Sequence, residues 1–278
     1  MQKSILITGA SSGIGFYLAK QLSQSGQYKV FAGIRKSADE KKMRDLGIKN
    51  LFPIQIDVQD PETISNCATI LKSENLYALV NNAGIAVAAP LEFIPIKEFQ
   101  EQFDVNVFGL LRVTQACLPL LRETRGRIIN IGSISGKITT PLIGAYAASK
   151  HAVEAMSDAL RRELRTSGIL VSLIEPGMVK TEIWDKSKDR AFKLVEKIPK
   201  HAQEIYRPMI EKLVENLDAR LPVASESKDV YAVVKHALES KSPSSRYLVG
   251  KDAKIANALR ILPDKWIDAL IAKSGAAR

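Results

Sequence analysis

Ser4-Ile5-Leu6-Ile7-Thr8-Gly9-Ala10-Ser11-Ser12-Gly13-Ile14-Gly15 reads as a short apolar strand, a glycine turn and the opening of a helix that continues through Leu18, Ala19 and Leu22. Glycines let backbone N–H groups crowd against a ligand, and the helix N-terminus beyond them carries partial positive charge. Together they favour a pyrophosphate. The spacing is G-x-x-x-G-x-G rather than the commoner G-x-G-x-x-G. A glycine turn alone could be a tight connection and nothing more. Placed directly after a first buried strand and before a helix, it reads as a dinucleotide site.

Outward from this turn, strand and helix patterns alternate. Tyr28-Lys29-Val30-Phe31-Ala32-Gly33-Ile34 is a second strand and ends in Arg35-Lys36. Dinucleotide folds place an acid about 20 residues past the glycines to hold the ribose 2′-hydroxyl, whereas arginine suits a 2′-phosphate. That acid is missing here, and the planar guanidinium of Arg35 can pair bidentately with phosphate oxygens. NADP(H) is therefore expected in preference to NAD(H), with a solvated basic strand end as the alternative. A third strand, Leu51 to Ile56, ends at Asp57-Val58, and Asp60-Pro61-Glu62 opens a helix in N-cap and N1 style. A fourth, Tyr77 to Val80, runs into Asn81-Asn82-Ala83-Gly84, whose two amides need partners and are expected to tie the sheet together beside the cofactor. Near-continuous apolar strands alternating with helices indicate a parallel sheet covered on both faces.

A long helix can be drawn from Ile96 to Arg122, with Asn106 inside it as either a satisfied core residue or a functional kink. Gly126 to Ser133 is a fifth strand, with Ser133 at its carboxyl end, where open α/β sheets bind ligands. Tyr146-Ala147-Ala148-Ser149-Lys150 then opens another helix, and the i, i+4 spacing sets phenol and ammonium on one face roughly 5–6 Å apart. A free tyrosine, with a pKa of about 10, is a poor acid or base near neutrality, but an adjacent cation favours the phenolate. Lys150 is therefore expected to lower the Tyr146 pKa; the alternative is an ordinary amphipathic helix. A sixth strand, Ile169 to Ile174, delivers Pro176-Gly177-Met178-Val179-Lys180-Thr181, a Pro-Gly turn that can present backbone groups to an amide such as nicotinamide. The alternation stops over about 182–225, where short amphipathic pieces mix with Pro199, Pro208 and Pro222, and a segment of that length reads as a substrate lid. A helix from Asp229 to Leu238, a strand from Arg246 to Val249 and an amphipathic tail over about 252–272 complete the chain. Pro263 should divide that tail into two short helices.

At 278 residues, with 46% apolar and 25% charged side chains, the composition is that of an ordinary globular protein, and the alternation makes it one domain. Cys67 and Cys117 have neither CxxC nor CxxH spacing, so neither a disulfide framework nor a zinc site is indicated. The run Ile5 to Ile7 is too short for a signal or a membrane span, and no later window reaches about 18 uninterrupted apolar residues. A soluble, cytoplasmic protein is expected. A formal charge of +10 suggests anionic company: a phosphorylated cofactor, an acidic membrane surface or nucleic acid. The basic residues are interleaved with acids and carry no aromatic-basic motif, which speaks against nucleic acid.

Taken jointly, Thr8-Gly9-x3-Gly13-Ile14-Gly15, Asp57-Val58, Asn81-Asn82-Ala83-Gly84, Asn106, Ser133, Tyr146-x3-Lys150 and Pro176-Gly177-x-Val179-x-Thr181 resemble the short-chain dehydrogenase/reductase family over essentially Ser4 to Gly250. Phe31 to Arg35 and Arg246 to Lys254 resemble, more loosely, its retinol and hydroxysteroid dehydrogenase branch. The resemblance implies a doubly wound, Rossmann-type α/β domain with seven parallel strands. It implies an oxidoreductase that interconverts an alcohol and a ketone or aldehyde, on a lipophilic substrate. Tyr146 would exchange the proton with the substrate oxygen, Lys150 would lower the tyrosine pKa and hold the nicotinamide ribose, Ser133 would hydrogen-bond the substrate oxygen, and Asn106 would hold a water linking Lys150 to solvent. Gly9, Ser11, Ser12, Gly13, Ile14 and Gly15 would take the pyrophosphate, Arg35 and Lys36 the 2′-phosphate, Asp57 and Val58 the adenine. Asn81, Ala83 and Gly84 would line the cofactor site, and Pro176, Gly177, Val179 and Thr181 would meet the carboxamide; no metal is needed. A regulatory protein that keeps this fold to sense the cofactor ratio is the rival reading, although it would have little use for Ser133, Tyr146 and Lys150 together. Family members pair the helices that Ile96–Arg122 and Ala145–Thr166 resemble, and apolar residues such as Leu110, Leu111, Met156 and Ala159 point to a homodimer or homotetramer. The tail would pack on its own domain or a neighbouring subunit, with contact to a membrane surface as the other possibility.

Overall fold

A computed structural model describes residues 2–273. The elements alternate as β1 (Lys3–Ile7), α1 (Gly13–Gln24), β2 (Tyr28–Ile34), α2 (Ser37–Arg44), β3 (Leu51–Gln55), α3 (Pro61–Leu71) and β4 (Leu76–Asn81). There follow α4 (Ile96–Phe103), α5 (Leu110–Thr124), β5 (Arg127–Ile131), α6 (Gly144–Glu163) and β6 (Leu170–Pro176). The chain continues with α7 (Ile183–Val195), α8 (Lys200–Arg220), α9 (Ser227–Glu239), β7 (Arg246–Val249), α10 (Lys251–Leu259) and α11 (Asp264–Lys273). All seven strands pair in parallel in the order β3-β2-β1-β4-β5-β6-β7. The expected doubly wound seven-stranded sheet is what forms.

Strand alternation explains how the sheet is covered. Ile5 and Ile7 of β1 join a cluster with Leu18 and Leu22 of α1 and Val230 and Val234 of α9, while Leu6 between them joins Val113 and Cys117 of α5 and Leu160 of α6 on the other face. All three β1 side chains are fully buried, each worth about 1.5–3 kcal/mol of transfer free energy. The edge position of β3 tolerates Pro53, which has no N–H to give to a further strand. The strand order reverses between β1 and β4, so the first crossovers of the two halves diverge and leave a crevice at the strand carboxyl ends.

Two expected elements take a different form. The helix from Ile96 to Arg122 is interrupted by a π-helical turn, Asp104–Gly109, which has Asn106 buried inside it. A wider turn of this kind commonly marks a functional position. The insertion is not a set of short pieces but two helices of 13 and 21 residues. Pro199 precedes α8 as its N-cap, and Pro208 lies on its exposed side, where the carbonyl deprived of a partner can turn to water. Both helices are held by an apolar cluster containing Ala191, Val195, Ala202 and Ile210, which packs on Ala88 and Leu142. The tail divides at Pro263 as expected. Helix α10 buries Ala253 against the domain, whereas no residue of α11 is buried and Trp266 is 65% exposed. Among the described residues no helix is long and apolar enough to cross a membrane.

Candidate active site

The glycine turn is closed by contacts that tolerate no side chain. A Cβ on Gly15 would stand 2.4 Å from both Asn82 Nδ2 and the Gly9 carbonyl oxygen, and one on Gly9, whose φ is +63°, would stand 2.7 Å from Ala83 Cα. The buried Thr8 hydroxyl accepts from the Asn82 and Ala83 N–H groups at 3.0 Å each, and Asn82 Nδ2 donates to the Thr8 and Gly9 carbonyls at 3.0 Å. The turn is thus tied to the end of β4 from behind. In front of it, Ser12 caps α1 in extended conformation without a side-chain hydrogen bond, and the first turn carries no acid. The first N–H groups of α1 keep their donor capacity for an anion. A donor set of backbone N–H groups behind a steric cradle fits the diphosphate of a dinucleotide.

The cleft that this turn opens has a volume of about 450 Å³. Gly9, Ser11, Ser12, Gly13, Ile14, Arg35, Asp57, Val58, Ala83 and Gly84 line it, as do Ser133, Tyr146, Lys150, Pro176, Gly177, Val179 and Thr181. The structure therefore brings most of the sequence-predicted residues to one cavity. Asn81, Lys36, Asn106 and Gly15 stand outside its lining. Asn81 ties the sheet together, as expected, from behind the lining: its buried Nδ2 donates to Thr114 Oγ1 at 3.0 Å and Asn130 Oδ1 at 2.9 Å, which binds β4 to α5 and β5. Its neighbour Asn82, just past the end of β4, is the amide that reaches the cleft. Lys36 is likewise exposed at the start of α2, and Arg35 alone carries the basic charge of that strand end into the wall.

Ser133, Tyr146 and Lys150 converge because β5 and α6 meet at the sheet's carboxyl edge. The Ser133 hydroxyl stands close enough to the Tyr146 phenol to favour its phenolate, and Ser133 Oγ accepts from the Ser135 N–H at 3.1 Å. The turn after Ser133 is pinned by a buried ion pair, Lys137 Nζ to Glu175 Oε1 at 2.6 Å. Lys150 Nζ donates to the Ile131 carbonyl at 2.8 Å and lies 5.8 Å from the Tyr146 ring centre. The helical spacing holds, but the expected electrostatic consequence does not. Burial raises the Tyr146 pKa, with only the Ser133 hydroxyl opposing it, and burial lowers that of Lys150 to about 8. The ammonium has turned to the end of β5 instead of the phenol, so desolvation outweighs attraction.

Asn106 fastens two walls. Its Oδ1 accepts from the Ile85 N–H at 2.9 Å, and its Nδ2 donates to the Ile85 carbonyl at 3.0 Å and to Ser149 Oγ at 3.1 Å. The loop after β4 is thereby held against α6. Sequence reasoning missed Gln59, Glu101, Trp184 and Arg190 of the lining. Arg190 of α7 reaches across to Glu98 and Glu101 of α4, its Nε donating to Glu98 Oε2 at 2.6 Å. No local signal announces a bond between residues so far apart in the chain. Trp184 Nε1 donates to the Val179 carbonyl at 2.7 Å, and that indole could have been suspected from its place just past Thr181.

Residues 3–191 match the family model described as short chain dehydrogenase. The chain belongs to that family. It is an oxidoreductase of CH–OH and C=O groups, with a nucleotide cofactor. Among its relatives, the 3-amino-tetrahydro-pyrrolizinone reductase of Xenorhabdus hominickii is 37% identical over 277 residues, covering 96% of this chain and 95% of that protein. The NADPH-dependent 3-dehydrocapnine reductase of Ornithobacterium rhinotracheale is 34% identical, covering 96% of this chain and 95% of that protein. A short chain dehydrogenase from Burkholderia cenocepacia J2315, solved in complex with NADP, superposes with a TM-score of 0.74 at 25% identity, covering 96% of each chain. Among the described residues, no group of His, Cys, Asp and Glu could hold a metal ion.

Proposed function

We propose that this family member is an NADP(H)-dependent enzyme that interconverts a lipophilic alcohol with its ketone or aldehyde. The observation that carries the cofactor choice is Arg35, which enters the cleft wall at the end of β2, where a carboxylate would hold a 2′-hydroxyl. A guanidinium there suits a 2′-phosphate. The word NADPH in the name of the Ornithobacterium relative and the NADP in the Burkholderia structure support the same choice. Ile85, Val105, Ile183 and Trp184, which line the cleft, support a lipophilic substrate.

A bound dinucleotide supplies the nicotinamide carbon that gives or takes hydride. Tyr146 would exchange the proton with the substrate oxygen, and Ser133 would hold that oxygen as charge develops on it. Lys150 would hold the nicotinamide ribose, and Asn106, fixed by its bonds to Ile85 and Ser149, would support a water leading from Lys150 to solvent. Val179 and Thr181 would meet the carboxamide.

In paired titrations, NADPH should bind more tightly than NADH, and Arg35→Asp should reverse the order by placing a carboxylate against the 2′-phosphate. An unaltered preference would show that Arg35 is only a surface charge. NADPH oxidation screened over steroid, retinoid and aliphatic carbonyl compounds would then identify the substrate class.

We also propose a homodimer or homotetramer paired through α5 and α6. Leu111 and Met156 are half-buried there and Ala159 is exposed, whereas Leu110 packs inward on Val153 and Leu173 and leaves the expected interface. The exposed ring of Phe108, just before α5, extends the same surface. Light scattering at micromolar concentration should give a multiple of the 30.6 kDa chain mass; a strictly monomeric mass would refute the pairing.

A further inference from the structure

The turn from Pro176 to Thr181 is held from behind by the far end of the chain. The Gly177 N–H donates to the Val249 carbonyl at 2.9 Å, the Ser225 N–H to the Met178 carbonyl at 3.1 Å, and the Lys180 N–H to the Ser225 carbonyl at 2.9 Å. A further donor of the turn is the Met178 N–H. It reaches Asp252 Oδ2, in the first turn of α10, at 2.7 Å. That carboxylate fills the space beside two glycines: a Cβ on Gly177 would stand 2.1 Å from Asp252 Oδ1, and one on Gly250 would stand 2.5 Å from it. Gly250 also has φ +98°, where the chain leaves β7 and the first turn of α10 meets the Pro176–Thr181 turn. Arg220, at the end of lid helix α8, lies 3.7 Å from Asp252 Oδ2. One side chain thus meets the turn, the lid and the tail.

We infer that Asp252 is a positioning residue: its carboxylate oxygen fixes the Met178 amide and so sets the Pro176–Thr181 turn in the shape that receives the nicotinamide end of the cofactor. The inference rests on the reading that Val179 and Thr181 meet the carboxamide. A purely structural alternative exists, because an acid in the first turn of any helix favours its positive end. The two differ in what they require. Positioning needs an acceptor at this place, whereas the helix effect needs a charge.

Asp252→Asn keeps an acceptor and drops the charge; Asp252→Ala drops both; Asp252→Ser drops the reach while leaving a polar residue in the first helical turn. Loss of a hydrogen bond of this kind corresponds to about a tenfold change in an equilibrium. In the cofactor-free protein, amide exchange of the peptide covering Met178 should rise about tenfold in the Ala and Ser variants and stay near wild type in the Asn variant. Dissociation constants for NADPH and NADH, read by fluorescence, should both rise about tenfold in Ala and Ser, by the same factor, because the nicotinamide end is common to the two. If Ala fails to fold, as judged by thermal melting, Ser and Asn carry the comparison. Unchanged exchange in Ala and Ser, or an Asn variant as damaged as Ala, overturns the positioning role. Faster exchange with unchanged dissociation constants overturns the proposal through the reading it rests on, since the turn would then be held by Asp252 without holding the cofactor.

Discussion

Tyr146→Phe is expected to lower turnover by about 10²–10⁴ while leaving dinucleotide affinity nearly intact. The substitution keeps the ring, and with it the packing at the start of α6, and removes one hydroxyl that can pass a proton. Because burial raises the phenol pKa, Tyr146 is protonated at neutral pH and stands ready to donate in the direction of carbonyl reduction. The reverse reaction needs the phenolate, so alcohol oxidation should speed up as pH rises, and reduction should not. Steady-state rates of both directions across pH, for wild type and Tyr146→Phe, test this. A variant that reduces the best substrate at the wild-type rate would remove Tyr146 from the mechanism. Ser133, beside the phenol, would then be the remaining donor to the substrate oxygen.

Lys150→Met should also be severe, lowering kcat/KM by about 10²–10³, and unlike Tyr146→Phe it should weaken dinucleotide binding. Its pH behaviour is distinctive. Burial holds the Lys150 pKa near 8, so in wild type the ammonium, and the affinity it supports, is lost as pH rises through about 8. The methionine variant should bind weakly and show no such step. Stability should change the other way. The folded pKa lies below the unfolded one, so between about 8 and 10.5 the unfolded chain holds a proton that the folded chain has released, and wild-type stability rises with pH across that window. Below about 8 the full cost of the buried cation applies. Lys150→Met should therefore be more stable than wild type at pH 7, by about 1–3 kcal/mol, with the gap shrinking toward pH 10.5. Urea midpoints at the two pH values measure it. A variant equally or less stable at pH 7 would mean that the Ile131 hydrogen bond outweighs desolvation.

The sequence made the glycine turn readable because the constraint there is local. A strand, a positive-φ glycine and a helix start follow one another without a gap, and each leaves its mark within a few residues. The same is true of Tyr146 and Lys150, whose common face follows from helix geometry alone. Asn81 and Asn82 were not separable in that way. Successive residues of a strand point to opposite faces, and which face meets the cleft depends on where β1 and β5 lie. The π-turn at Asn106 was hidden for a related reason: the amide could be satisfied in the core or mark a kink, and it does both once Ile85 and Ser149 come within reach.

What the sequence by itself determined was therefore the fold, the order of its strands and helices, and most of the residues that line the cleft. These follow from hydrophobic periodicity and from short motifs, which act over one or two turns of chain. The tertiary structure alone decided the direction of the Tyr146 and Lys150 pKa shifts, the strap from Arg190 to Glu98 and Glu101, and the hold of Asp252 on Met178. A pKa depends on the solvent excluded by every neighbouring element. A hydrogen bond between residues 74 positions apart depends on a backbone path that only the packed sheet fixes.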